Sequence, residues 1–205
     1  MPNTSLKKLP ITCAILVALS AIAAQAVLVD FDDVLGGGTQ PILGDRYLAK
    51  GVLLSTDGAA GLFVSGPFAY TNTPPNYCIA SSTGGSADSK IIVDFVVPNT
   101  TSPAATNIVF FYLSDGDTGV GSEWSAAIYD VNGALLDSIT GTTNDEVMVG
   151  WSRPVKDIRR MVFTPSRDLE GIDSLSFCET ELVPEPASLS VLAIGAAALW
   201  FRRRR

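Results

Sequence analysis

From Val27 to Leu182 the apolar residues come in short runs or alternate in twos, and they do not fall into the three-and-four spacing of an amphipathic helix. The runs are 27–31, 47–55, 61–64, 90–97, 107–113, 123–130, 134–140, 146–151, 158–164 and 171–178, with turn residues between them. The alternation is clearest where Trp124, Ala126, Ile128 and Asp130 interleave with Ser125, Ala127, Tyr129 and Val131. One side of such a strand meets the core, and the other meets solvent or a groove. Asp130-Val131-Asn132-Gly133 then supplies an Asn-Gly hairpin turn into the next run. Two longer connections, 71–89 and 98–106, read as loops. The expectation is an all-β, antiparallel sandwich or jelly roll, and 205 residues suit one such domain.

Composition narrows the chemistry. Glu, Lys and Arg are sparse beside Gly, Ser, Thr, Asp and Asn, which favours turns and strands. All 21 carboxylates lie between Asp30 and Glu185, whereas Lys7, Lys8 and Arg202 to Arg205 stand at the ends. The interior therefore holds 8 cations against 21 acids, a net of -13. Such a body repels phosphate backbones, so nucleic acid is excluded as a partner. The chain has no histidine, which removes the usual general base and the commonest zinc ligand. Nucleophilic triads built on histidine are impossible, and only carboxylate-driven catalysis stays open.

The ends are targeting segments. Lys7 and Lys8 precede an apolar run from Ile11 to Ala24, which closes on Ala24-Gln25-Ala26. A basic start, a short apolar stretch and small residues at the A-x-A positions make a secretory signal peptide for the Sec export machinery. Cleavage after Ala26 would leave Val27 as the mature start, so residues 1–26 form the signal, 27–182 the body and 183–205 the tail.

In the tail, Val183-Pro184-Glu185-Pro186 is stiff, because each proline fixes its own φ and restricts the residue before it. Ala187 to Phe201 carries no charge, and Arg202, Arg203, Arg204 and Arg205 close the chain. As a helix the apolar run reaches about 22 Å against a hydrocarbon core of ~30 Å, a gap that snorkelling arginines nearly close. The reading is a transmembrane helix with its arginines cytoplasmic and the body outside. This order of motif, span and basic stop resembles the PEP-CTERM sorting tail of Gram-negative bacteria. The resemblance implies recognition by an exosortase-type membrane protease, cleavage at or near Pro184-Glu185-Pro186, and passage from the inner membrane to the cell surface or the medium. It also implies a link to exopolysaccharide.

Asp30-Phe31-Asp32-Asp33, Tyr47 before Gly51-Val52, and Gly171 to Phe177 together resemble the jelly-roll bodies found ahead of such tails, which look like carbohydrate-binding modules. In modules of that kind a structural calcium often ties the first strand to the last. Asp30, Asp32 and Asp173 are the corresponding candidates, with a solvated acidic edge as the alternative. Asp115-Gly116-Asp117 begins like a calcium loop, but Ala126 occupies the position where an EF-hand needs glutamate. Cys78 and Cys178 are the cysteines left after signal removal, and an oxidising compartment makes them a disulfide candidate worth about 4 to 5 kcal/mol; two buried thiols are the alternative. Tyr70 and Tyr77 flank a polar loop and are candidate sugar-stacking rings, while Trp124 and Trp151 read as core. No residue is nominated as catalytic. The body is expected to be a non-enzymatic, exopolysaccharide-binding surface protein. A secreted hydrolase or lyase using two carboxylates, and a calcium-dependent adhesive protein, are the rivals.

Overall fold

The computed structural model describes residues 26–33, 40–42, 44–57, 61–65, 78–80, 89–115, 122–143, 147–166 and 170–183. In chain order the strands begin with β1 (Ala26–Val29), β2 (Gln40–Ile42), β3 (Val52–Thr56), β4 (Leu62–Ser65) and β5 (Cys78–Ala80). They continue with β6 (Ile91–Phe95), β7 (Ala104–Ala105), β8 (Ile108–Asp115), β9 (Ser122–Tyr129) and β10 (Leu135–Thr143). The last four are β11 (Val147–Ser152), β12 (Arg160–Pro165), β13 (Glu170–Cys178) and β14 (Glu181–Leu182). A 3-10 turn, Leu48–Lys50, precedes β3.

Every pairing is antiparallel. One sheet runs β11-β8-β13-β5-β4-β2, with β1 added beside β13, and the other runs β10-β9-β12-β6-β3. The two pack face to face through rings from both sheets. Phe95 of β6 lies 5.1 Å from Phe177 of β13, and Phe111 of β8 lies 6.0 Å from Phe163 of β12. The expected all-β antiparallel sandwich is therefore the observed architecture. Trp124, Ala126 and Ile128 point inward as their alternation requires, and Trp124 and Trp151 are both buried.

Differences lie in the shortest elements. The run at 47–55 splits into the 3-10 turn and β3, because Gly51 takes φ +84° and redirects the chain between them. Both stretches read as loops contribute strands, β5 from the first and β7 from the second. Strands of two or three residues carry too little alternation to be seen in a sequence. The stretch read as a signal peptide, up to residue 25 and including Ala24, and the tail after Val183 lie outside the described residues; among the described residues no helix is long and apolar enough to cross a membrane.

Candidate functional site

The side of the five-stranded sheet turned away from the core is a groove of about 730 Å³. Its floor follows from pairing register, since directly opposed residues on adjacent strands face the same way. Val162 opposes Ala127 on one side and Ile92 on the other, giving an apolar central row. Two residues along, Arg160 opposes Tyr129 and Asp94, giving a charged and aromatic row. Two residues the other way, Ser125 opposes Thr164 and Thr140, giving a row of hydroxyls. A smooth apolar strip thus lies between two lines of hydrogen-bonding groups.

Asp94 organises the charged row. Arg160 donates to it through Nε at 2.7 Å and Nη2 at 3.1 Å, and Arg159 donates through Nη1 at 3.0 Å. The carboxylate is 10% exposed beneath these guanidiniums, whereas Arg160 is 46% exposed and reaches into the groove. Bonding to Asp94 raises the Arg160 pKa above its ordinary value. At the groove's ends, Asp57 accepts the Lys90 backbone N–H at 2.7 Å and pairs with Lys90 Nζ at 3.2 Å. That backbone bond is the main cause holding Asp57 below its ordinary pKa. Asp130 accepts the N–H groups of Ala134 and Asn132, each at 2.8 Å, and is lowered for the same reason. Backbone donors thus favour the ionised form of both Asp57 and Asp130.

The sequence candidates fare differently. Tyr70 and Tyr77, proposed for stacking, lie outside the described residues, as do Pro184, Glu185, Pro186 and Arg202 to Arg205. The ring that lines the groove is Tyr129. Its outward position was legible in the β9 alternation, and the adjacent pair Arg159-Arg160 stands out among only eight body cations.

The disulfide is corrected. Cys178 is a buried free thiol. Ile79 and Ala80 of β5 pair with Ile172 and Gly171, so Cys78 falls beside Asp173, whereas Cys178 pairs with Ala26. Five strand residues separate Asp173 from Cys178, about 16 Å at ~3.3 Å each, while a disulfide needs Cα atoms within ~7 Å. Asp173 is fully buried, with Oδ1 accepting the Ser174 N–H at 2.7 Å. Asp30 and Asp32 follow directly on β1, whose last paired residue, Val29, opposes Leu175. Among the described residues no three acidic, cysteine or histidine side chains are placed to hold a metal. The carboxylates of the Asp115 loop beyond that residue are outside the described residues.

Fold and tail together define the class: a β-sandwich body directed to the cell surface by a C-terminal sorting signal. Residues 182–205 match the PEP-CTERM protein-sorting motif, which marks an exported, surface-directed protein. The motif begins inside β14, whose pairing with β7 ties it to the body. Among solved structures the chain is similar to the C-terminal family 22 carbohydrate-binding module of Clostridium thermocellum Xyn10B, at 16% identity, 77% of this chain, 94% of that one and a TM-score of 0.43. It is similar to a DUF4465 family protein from Bacteroides caccae, at 12% identity, 76% of this chain, 99% of that one and 0.47. It is also similar to the CBM22-1 xylan-binding domain of Paenibacillus barcinonensis Xyn10C, at 10% identity, 78% of this chain, 94% of that one and 0.36. No curated protein matches it. The groove's own residues, not these distant likenesses, bear on what it binds.

Proposed function

We propose that this is a non-enzymatic surface protein that binds exopolysaccharide along the open face of its five-stranded sheet, after export and exosortase processing of its tail. The observation that carries the reading is the three-row floor: Ala127-Val162-Ile92 between the Tyr129-Arg160-Asp94 row and the Thr140-Ser125-Thr164 row. A sugar ring has an apolar face and a rim of hydroxyls. Laid on this floor, the face covers the apolar strip and the rim meets donors and acceptors on both flanks.

The state of the acids favours binding over hydrolysis. A two-carboxylate glycosidase needs one acid kept protonated by an apolar surrounding or a like charge. Asp57 and Asp130 are instead pushed the other way by backbone donors, and Asp94 sits between two guanidiniums. The reading is tested by affinity electrophoresis of the mature protein in gels containing the producing strain's exopolysaccharide. Retarded migration that Tyr129→Ala abolishes supports it. Unretarded wild-type protein overturns it.

A further inference from the structure

We propose that the groove selects a polysaccharide that carries carboxylated sugars, and that the Arg160 guanidinium is the group that receives a sugar carboxylate. This rests on the glycan-binding reading above and names the class of glycan taken.

The charged row presents one edge of an arginine. A guanidinium is a planar fork with two edges, each able to grip a carboxylate through paired N–H groups. Arg160 spends its Nε and Nη2 edge on Asp94, at 2.7 and 3.1 Å. The far edge, Nη1 with the second Nη2 hydrogen, is thereby turned away from Asp94, and the side chain is 46% exposed in the groove. Asp94 is 10% exposed on β6, inside the sheet between β12 and β3, so it holds the fork from beneath. A guanidinium fixed in this way loses less freedom on binding than an untethered one. Tyr129 opposes Arg160 on β9, and directly opposed side chains stand about 5 Å apart at Cβ. A sugar ring lying on Tyr129 thus sets a carboxylate on its rim within reach of Arg160.

Charge points the same way. Arg159 also bonds Asp94, at 3.0 Å, so one carboxylate faces two guanidiniums and one positive charge is left uncancelled. Lys90, Arg159 and Arg160 are three of the eight body cations, and Asp57, Asp94 and Asp130 line the same groove. The groove is therefore balanced within a body of net -13. Acids farther than a Debye length of ~8 Å from Arg160 are largely screened at physiological salt. A nucleic acid, with a charge every ~1.7 Å of duplex, meets the whole acidic surface and is repelled. A polysaccharide with one carboxylate among several neutral sugars brings far less charge. Its neutral rings cover Ala127, Val162 and Ile92 while the carboxylate meets Arg160.

The test is calorimetric titration of the mature protein with two forms of the producing strain's exopolysaccharide. One is the native polymer, analysed for uronic acid, and the other is the same polymer with its carboxyls reduced to alcohols. The expected result is uronic acid in the polymer and about tenfold tighter binding of the native form. Arg160→Gln should lower native binding to the level that wild type shows for the reduced form. Arg160→Lys keeps the charge without the fork and should recover only part. If Arg160→Gln does not fold, the wild-type comparison and the lysine variant still decide. A polymer without carboxylated sugars, equal binding of both forms, or a preference that survives Arg160→Gln would overturn the carboxylate site and leave glycan binding intact. No binding of either form would overturn both.

Discussion

Arg160 and Asp94 stand 66 residues apart in the chain yet face each other directly across β12 and β6, joined by two N–H···O bonds of 2.7 and 3.1 Å. Arg159 adds a third bond to the same carboxylate. Removing the acid leaves two guanidiniums side by side without a counter-charge. Asp94→Ala should therefore lower the unfolding free energy by about 1–2 kcal/mol, the lower part of the range for charged hydrogen bonds because Arg160 is half exposed. Removing Arg160 as well should recover part of that loss. Urea denaturation of the single and double variants measures both, and an unchanged midpoint for Asp94→Ala would contradict the account.

Acid should act through Asp57 and Asp130. Both are lowered from 3.8 by backbone N–H donors, from Lys90 and from Ala134 respectively. A carboxyl with a lowered folded pKa adds stability at pH values above the unfolded value, and that stability drains away as pH falls through the folded value. The melting temperature should stay level from neutral pH to about 5, then fall below pH ~4. Calorimetry of the Asp57→Asn, Asp130→Asn double variant should show a shallower acid limb than wild type. Parallel limbs would mean that other groups set the acid limit.

The free thiol at Cys178 gives a direct chemical expectation. Without a bridge to Cys78, a reductant should leave the melting temperature where it was. Alkylation of the unfolded, unreduced mature protein should label Cys178 as fully as alkylation after reduction. Peptide mass spectrometry reads the result. A Cys178 that labels only after reduction would restore the disulfide.

That correction marks where sequence reasoning stops. Cysteine parity and an oxidising compartment say that two thiols are free to pair, but only register says whether they meet, and register between β5 and β13 is a non-local property. The same holds for Asp94, whose partners come from a strand far along the chain. Local signals fared well by contrast. The β9 alternation put Trp124, Ala126 and Ile128 inside and Tyr129 outside, and Asp130 to Gly133 formed the expected turn, with Gly133 at φ +78° and its N–H on the Asp130 carbonyl. The short strand β2, with Pro41 at its centre, exists because β4 offers it an edge, and the two-residue β7 because β14 returns from the far end of the chain to pair with it. Their own residues do not announce them.

The junction between body and tail carries the last prediction. Thr180 donates its hydroxyl to the Val96 carbonyl at 2.8 Å, Glu181 and Leu182 pair with Ala105 and Ala104, and the Val183 N–H reaches the Pro103 carbonyl at 3.3 Å. The chain is thus tied to the body up to the residue before Pro184. Cleavage at or near Pro184-Glu185-Pro186 would remove the apolar run and the arginines while leaving β14 in place. Intact-mass analysis of surface and medium fractions should find mature ends between Val183 and Pro186, and the released protein should melt where the unprocessed protein does. In a strain lacking the exosortase the full tail should persist in the membrane fraction. A mature end upstream of Glu181 would strip β14 from β7, and would place the processing event inside the body and not at the motif.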